Sequence, residues 1–252
     1  MQYFLSLDRL SQDPYSTIIG YPKATKKQIN ARIVELKKLG IKDVSFHGQS
    51  KIGKLSILGK GYVGIVILGR IKNRLVAIKI RRTDASRLDM KDEARFLNIA
   101  NKEGVGPLLI AKSKNFIIME YLDGKKIWEW MKEQESKRNI KLLKLIIRKI
   151  LEDCYKLDMI GLDHGELSTI TKHVVIKKSK TTIIDFESAS TERRSSNVTS
   201  ATQAICIGSG ISKIVRKIYR LPPKNKIINV LRSYKQEQDL HNFEKVLEVL
   251  KI

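Results

Sequence analysis

The spacing of apolar residues changes along the chain, and the change falls near Gly124. From Leu55 to this point, short apolar runs bounded by turn residues predict β-strands, with one helix over Met90–Asn101. The predicted strands are Ile57–Leu58, Ile65–Leu68, Leu75–Ile80 and Phe116–Glu120 before Gly124, and Val174–Ile176 and Thr182–Ile184 after it. The rest of the second part has the helical period, most clearly over residues 139–160. This order predicts an α+β protein with a β-rich first lobe and a helical second lobe.

Residues 1–49 precede the first of these strands and form an extension. Thr25 is placed to cap a helix that Gly40 can end. The apolar residues of this helix share one face: Ile29, Ile33 and Leu36. Four lysines flank it: Lys26, Lys27, Lys37 and Lys38. Such a helix either binds nucleic acid or packs on a neighbouring lobe, and packing is the favoured interpretation.

The charge balance indicates an affinity for polyanions. The chain has 252 residues, 42% of them hydrophobic, which is enough for one large domain or two small lobes. Lys and Arg number 49 against 26 acidic residues, for a formal net charge of +23. Such a field attracts nucleotides, RNA, DNA or an acidic surface. The alternative is the lysine-rich composition of a thermophile, and both interpretations stay open.

Several classes of protein are excluded by what the sequence lacks. Cys154 and Cys206 lie in apolar, helical stretches, so we expect buried thiols rather than a disulfide. No Cys/His cluster has the spacing of zinc ligands. The start of the chain does not resemble a signal peptide, and no apolar run reaches the roughly 18 residues of a membrane span. We therefore expect a cytoplasmic protein without a membrane partner.

A glycine-rich segment spans Gly59–Val66 and fits the pattern G-x-G-x-x-G-x-V, with glycines at Gly59, Gly61 and Gly64. With the predicted strands Ile57–Leu58 and Ile65–Leu68 on either side, the segment predicts a hairpin, and glycines allow the tip of a hairpin to approach phosphates closely. A strand follows the segment rather than a helix, which argues against a dinucleotide-binding turn. The chain also lacks the Walker pattern of P-loop ATPases.

The next strand carries a lysine in an apolar setting. Lys79 ends the run Val-Ala-Ile-Lys, and a lysine there is costly unless it has an anionic partner. Glu93, on the following helix, is the expected partner and would hold Lys79 toward phosphates. Farther along, Met119 is expected to line an adenine pocket, and the backbone of Glu120–Leu122 to read the adenine edge. The alternative for Met119 is a place in the apolar core.

Two further segments complete an ordered set. His164–Leu167 reads His-Gly-Glu-Leu, and Ile184–Glu187 reads Ile-Asp-Phe-Glu. Together with the glycine-rich segment, Lys79 and the segment Ile117–Leu122, which looks like a kinase hinge, they resemble the protein-kinase signature. The set is similar to that of small, divergent archaeal kinases related to the RIO kinases and to the kinase subunit of the KEOPS complex. Those have His-Gly-Asp where ordinary kinases have His-Arg-Asp.

The resemblance covers about residues 55–190 and implies a fold and a site. The fold is bilobal and protein-kinase-like, with an N-terminal extension over 1–49, an N-lobe over 50–121 and a compact helical C-lobe over 122–252. The three glycines would cover the phosphates of ATP: Gly59, Gly61 and Gly64. Lys79 would contact the α- and β-phosphates, held by Glu93. Asp185 would bind Mg²⁺, with Mn²⁺ as the alternative, and Glu166 occupies the position of the catalytic aspartate.

Three residues depart from the pattern. Glu166 is one methylene longer than aspartate, a shift on the order of 1 Å that can cost about 10²-fold in rate. His173 stands where a metal-binding asparagine is usual, after two extra loop residues, and imidazole is a poor ligand for Mg²⁺. His173 is therefore expected to contact phosphate instead. Glu187 replaces the glycine of Asp-Phe-Gly and is a further candidate for a metal-bound oxygen.

The leading functional prediction is a serine/threonine protein kinase of the small atypical type, which transfers the γ-phosphate of ATP to a protein hydroxyl. A second is a kinase-fold ATP-binding sensor or scaffold, a pseudokinase or slow ATPase that docks on RNA or a ribonucleoprotein. The net charge and the three departures favour this one. A third is a small-molecule kinase on the same fold.

Overall fold

The computed structural model describes residues 3–208 and 210–252, so the first two residues of the predicted extension and Ser209 lie outside the described part. The chain divides into two compact units. The first unit contains the residues up to Asn98 together with Pro107–Tyr121, and the second contains Ile99–Gly106 together with Leu122–Ile252. The first unit is rich in β-sheet and the second is mainly helical, which confirms the predicted α+β class.

The first unit is built around one antiparallel sheet. Its strands are β1 (Leu5–Ser6), β2 (Asp43–Ser45), β3 (Ser50–Ile52), β4 (Leu55–Ile57), β5 (Gly59–Lys60), β6 (Gly64–Ile71), β7 (Arg74–Arg81), β8 (Leu109–Lys112) and β9 (Phe116–Glu120). Strands β1, β2, β6, β7, β9 and β8 follow one another in the sheet, and β5 pairs with β6. Strands β3 and β4 form a separate hairpin. Strand β7 is therefore central, with β6 and β9 on either side.

Three predicted strands are confirmed, as β6, β7 and β9. The prediction of a hairpin between Ile57–Leu58 and β6 is partly wrong. Strand β4, which contains Ile57, pairs with β3, and the glycine-rich segment itself supplies β5 as the partner of β6. The reason is local: Gly53 has φ +55, so the chain reverses between Ile52 and Leu55 and pairs with itself.

Helices of the first unit lie in the predicted extension and after β7. They are α1 (Ser16–Ile19), α2 (Lys26–Lys38) and α3 (Lys91–Lys102), whose last turn belongs to the second unit. As predicted, Thr25 caps α2, in a capping box with Gln28, and Gly40 follows its end with φ +79. Ile33 and Leu36 of α2 are buried in the same apolar core as residues of β6, β7 and β9. The four flanking lysines are exposed.

The second unit is mainly helical. Its helices are α4 (Ile127–Lys137), α5 (Ile140–Met159), α6 (Ile170–His173), α7 (Asn197–Thr202), α8 (Ile211–Ile218), α9 (Lys224–Gln236) and α10 (Leu240–Leu250). A small antiparallel sheet contains β10 (Lys125–Lys126), β11 (Val174–Lys177) and β12 (Lys180–Ile183). The predicted long helix over residues 139–160 is thereby confirmed as α5, and the two predicted short strands as β11 and β12.

Apolar residues of α5 line the interior of the second unit, because they recur on one face of the helix. Cys154 on this helix and Cys206 are buried free thiols, which confirms the expectation of buried thiols. Within the part of the chain that the structure describes, no helix has the length and apolarity that a membrane crossing requires.

Candidate functional site

A buried ion pair joins strand β7 to helix α3. Lys79 of β7 is 4% exposed and Glu93, in the first turn of α3, is 6% exposed. The Lys79 Nζ lies 2.6 Å from the Glu93 Oε1. Because burying either charge alone would cost several kcal/mol, each side chain is held in place by the other. The structure thus brings together the two residues that the sequence paired.

The glycine-rich segment forms the hairpin of β5 and β6. Its tip is closed by a hydrogen bond of 2.8 Å from the Gly61 N–H to the Gly64 carbonyl oxygen, and Tyr62 projects from it into solvent. A Cβ atom at Gly64 would lie 3.1 Å from the Cγ and Cε atoms of Lys79. Glycine at this position therefore lets the lysine stem pass beside the hairpin, while Gly59 pairs with Val66 in the sheet.

The predicted hinge residues lie at the end of β9 and after it. Met119 is half-buried and pairs with Ala77 of β7. The Glu120 N–H donates to the Leu108 carbonyl oxygen at 2.9 Å, and Leu122 follows in a segment without regular secondary structure. Their contact with adenine stays a prediction.

In the second unit, His164 anchors the His-Gly-Glu loop from inside. Its side chain is fully buried, and its Nε2 lies 3.1 Å from the Ile184 carbonyl oxygen. The Glu166 N–H donates to its Nδ1 at 3.4 Å, and Gly165 between them has φ +85. Burial lowers the pKa of His164 to about 4. The imidazole is therefore neutral near pH 7 and holds the loop through both ring nitrogens.

Three side chains of this unit meet in one place: Glu166, His173 and Asp185. One potential metal-ligand atom from each lies within 4.8 Å of the others. The His173 Nε2 is 3.1 Å from the Glu166 Oε2, while the Glu166 Oε1 accepts a hydrogen bond of 2.8 Å from the Ser188 hydroxyl. Of these three residues, the sequence predicted a metal role only for Asp185, a base role for Glu166 and a phosphate role for His173. The structure adds that all three share one cluster.

The backbone explains why His173 and Asp185 are neighbours. His173 ends α6 just before β11, and Asp185 follows β12, so the β11–β12 pairing brings both to the same end of the hairpin. The Ile184 N–H donates to the His173 carbonyl oxygen at 2.9 Å. Asp185 itself has φ +73, a conformation that non-glycine residues rarely adopt and that is often found at functional sites.

Burial and nearby charges have opposite effects on the pKa of His173. Its side chain is buried, and burial lowers its pKa, whereas the charges of Asp185 and Glu166 raise it. Its Nδ1 has no hydrogen-bond partner within residues 3–208 and 210–252. Lys126 on β10 is close enough to lower the pKa of His173 further.

Lys126 is a residue that sequence reasoning missed. Its Nζ donates to the Lys172 carbonyl oxygen at 2.7 Å. Burial lowers its pKa, while Asp185 and Glu129 raise it. The Lys126 side chain therefore interacts electrostatically with Asp185 of the cluster. No motif marks it, because β10 is only two residues long and Lys125 next to it forms a surface ion pair with Glu133.

A hydrogen-bond network that sequence reasoning also missed holds the His-Gly-Glu loop in place. Asn197, at the start of α7, accepts a hydrogen bond of 2.9 Å from the His164 N–H through its Oδ1. The carboxylate of Asp158 accepts from the Asn197 N–H, the Val198 N–H and the Tyr234 hydroxyl at 2.9–3.1 Å. This buried network fixes the loop to α5, α7 and α9. Asp158 and Asn197 are far apart in sequence, so no sequence pattern predicts this network.

Two arginines near the cluster form ion pairs or hydrogen bonds with other residues of the chain. Arg193 pairs with Asp163 and contacts the Ser188 carbonyl oxygen, and Arg194 donates to the Lys235 carbonyl oxygen. Glu187 is buried and is not part of the described cluster of ligand atoms. Its proposed metal role stays a prediction.

Comparison with known proteins finds two relatives, of which one is kinase-like and distant. No family model matches the chain. The KEOPS complex subunit Bud32 of Pyrococcus abyssi is 28% identical over 131 residues, which are 49% of this chain and 54% of that protein. The match thus spans about half of Bud32 and supports a distant relationship to a kinase-like family.

A second relative is the uncharacterized protein MJ1211 of Methanocaldococcus jannaschii. It is 32% identical over 100 residues, which are 39% of this chain and 81% of that protein. The chain belongs to the family of MJ1211.

Proposed function

We propose that this chain is an ATP-dependent phosphotransferase with a bilobal protein-kinase-like fold. Residues 1–49 would be the N-terminal extension, 50–121 the N-lobe and 122–252 the C-lobe. The proposed acceptor is a serine or threonine hydroxyl of a protein. The observation that carries the proposal is the buried pair of Lys79 and Glu93 beside a glycine hairpin. A lysine so buried, with its stem against Gly64, is set in place to bind an anion.

In this proposal the residues of the first unit bind the nucleotide. Lys79 binds the α- and β-phosphates and keeps its orientation through Glu93. The hairpin glycines cover the phosphates with backbone N–H groups. Met119, Glu120 and Leu122 contact the adenine. Phosphoryl transfer depends mainly on such positioning and on electrostatic stabilisation.

The cluster of the second unit would hold the divalent ion. Carboxylate oxygens of Asp185 and Glu166 suit Mg²⁺, whereas a ring nitrogen of His173 does not. The donor set therefore fits a divalent ion in general and Mg²⁺ only in part. When bound, such an ion neutralises charge on the transferring phosphate.

Glu166 would act as the general base. Its Oε1 already accepts a hydrogen bond from a serine hydroxyl, that of Ser188, so the carboxylate has the geometry to take a proton from an acceptor hydroxyl. His173 on its other oxygen fixes the orientation of the carboxylate.

A second candidate is the ATP-binding sensor or scaffold that docks on RNA or a ribonucleoprotein. The net charge of +23 favours it, because a field of this sign attracts a phosphate backbone. The two candidates share nucleotide binding and differ in phosphoryl transfer.

Nucleotide binding can be tested by the shift of the melting temperature on adding ATP with a divalent ion. Wild-type protein is expected to show a concentration-dependent rise. Lys79→Ala should lose most of this rise, measured against its own nucleotide-free baseline, because the phosphates lose their cation. Lys125→Ala, which removes a surface lysine, should keep it. An equal rise in wild type and Lys79→Ala would contradict the proposal.

A further inference from the structure

The ligand set of the cluster differs from the one that Mg²⁺ prefers. Mg²⁺ takes oxygen ligands in near-octahedral geometry, and imidazole suits the first-row transition ions. Here a buried histidine and two carboxylates meet, and one potential ligand atom from each lies within 4.8 Å of the others. We propose that Glu166, His173 and Asp185 form a site that prefers a divalent transition ion, Mn²⁺ foremost, over Mg²⁺, with a ring nitrogen of His173 as a direct ligand.

The spacing is close to what one ion requires. Ligand atoms about 2.1 Å from a common ion lie about 3–4 Å apart. The His173 Nε2 and the Glu166 Oε2 are already 3.1 Å apart, and Asp185 completes the group. The hydrogen bond from the Ile184 N–H to the His173 carbonyl oxygen fixes the backbone of His173 relative to that of Asp185, which follows Ile184. The site is therefore largely assembled by the backbone.

His173 and not His164 is the histidine that can bind an ion. Both ring nitrogens of His164 are engaged, by the Ile184 carbonyl oxygen and the Glu166 N–H. The His173 Nε2 faces the Glu166 Oε2 at 3.1 Å, so it is the ring nitrogen placed to bind the same ion as that carboxylate.

Mn²⁺ is the transition ion that most resembles Mg²⁺ in accepting carboxylate oxygens. Two carboxylates are hard ligands that Mn²⁺ accepts as readily as Mg²⁺ does, and the imidazole adds affinity for the transition ion. Glu166 can serve the ion and the acceptor together, since its Oε2 faces His173 and its Oε1 faces the hydroxyl of Ser188. This inference rests on the proposed function for its purpose, but ion binding does not require phosphoryl transfer.

The test is pulsed EPR of Mn²⁺ bound to the wild-type protein without nucleotide. Bound Mn²⁺ is expected to show hyperfine coupling to a histidine nitrogen, and labelling the histidines with ¹⁵N should change the coupling accordingly. This measurement needs no variant, so it stands even if a substitution prevents folding. Bound Mn²⁺ without nitrogen coupling would overturn the proposal.

Substitution then identifies the histidine. His173→Asn replaces the ring nitrogen with an amide oxygen and should abolish the nitrogen coupling. It should also lower the preference for Mn²⁺ over Mg²⁺, measured by competition, by about tenfold or more. His241→Asn removes an exposed histidine of α10 and should change neither quantity. Retained coupling or unchanged preference in folded His173→Asn would overturn the proposal.

The outcome separates this inference from the proposed function. Phosphoryl transfer with Mg²⁺, together with Mn²⁺ binding that lacks nitrogen coupling, removes the inference and leaves the phosphotransferase. Histidine-ligated Mn²⁺ in a protein that transfers no phosphate with either ion removes the phosphotransferase and leaves the metal site.

Discussion

Each unit of the molecule gathers charged side chains, and the two groups differ in kind. In the first unit, Lys79 and Glu93 are both buried, and opposite charges meet at 2.6 Å. In the second unit, Glu166 and Asp185 meet the His173 imidazole, whose pKa is lowered by burial, and the Glu166 side chain is 35% exposed. The first group is a buried ion pair between strand β7 and helix α3. The second is a set of ligand and base atoms at the end of a hairpin.

The difference shows how burial decides what a charged group can do. A buried ion pair keeps a fixed geometry, because neither partner can leave without a large desolvation cost. A partly exposed carboxylate beside a histidine can exchange partners with an ion, a proton or an incoming hydroxyl. The first group is therefore suited to positioning a ligand, and the second to chemistry.

The largest expected effect is on the rate of phosphoryl transfer. Glu166→Gln removes the proton-accepting carboxylate together with one proposed ion ligand, and it should lower the rate by about 10²–10⁴-fold. Initial rates and nucleotide titrations on the same preparation provide the check. Glu166→Asp is the sharper variant, because it keeps the carboxylate and withdraws it by one methylene. A rate that is indifferent to both substitutions would remove Glu166 from the mechanism.

A smaller effect is expected on stability from the buried pair. Lys79→Met leaves Glu93 without its lysine, and removing one partner of a buried pair typically costs about 3–5 kcal/mol. Urea-induced unfolding measures the change. Lys37→Met breaks an exposed pair with Asp8 and should leave the free energy of unfolding unchanged within error. Equal effects of the two substitutions would contradict the contrast drawn between buried and exposed pairs.

The loop of the second unit should show a pH dependence through His164. Its native pKa of about 4 lies below the unfolded value of 6.5, so the unfolded state binds the proton more readily. Its contribution to stability is complete above pH 6.5 and is lost as the pH falls toward 4, by about 3 kcal/mol at about 1.4 kcal/mol per pKa unit.

Comparison with a variant isolates this contribution. Burial raises the pKa of Asp153 to about 6, which gives an opposite slope between pH 4 and 6. The total stability curve therefore combines His164 with Asp153, Asp158 and His173, whose pKa values burial also shifts. His164→Gln should lose less stability between pH 7 and pH 4 than the wild type, by urea unfolding at each pH. Parallel curves for the two proteins would show that His164 is not the group responsible.

The two groups also differ in how far the sequence could predict them. Lys79 and Glu93 were paired correctly, because each lies in a regular element whose period and order are visible in the sequence. The meeting of His173 with Glu166 was missed, because it depends on the short helix α6 and on the pairing of β11 with β12. Local periodicity does not encode such long-range loop contacts.

The same limit explains the other misses. Lys126 gave no signal, since its position depends on a two-residue strand. Asp158 and Asn197 support the loop through contacts between distant segments, whose residue types are common in any helix end. The β3–β4 hairpin was missed because the strand that contains Ile57 has a possible turn on each side, at Gly53 and in the glycine-rich segment. The sequence does not show across which turn this strand pairs.

The central claim is that the chain transfers the terminal phosphate of ATP. The most direct measurement is the transfer of a label from the γ-phosphate of ATP to protein, with Mg²⁺ or Mn²⁺, in wild type and in Asp185→Asn. We expect labelled serine or threonine with the wild type. We expect none with Asp185→Asn, which should keep the wild-type circular dichroism because only one side-chain oxygen is replaced. Undiminished transfer by Asp185→Asn, or no transfer by the wild type with either ion, would contradict the account.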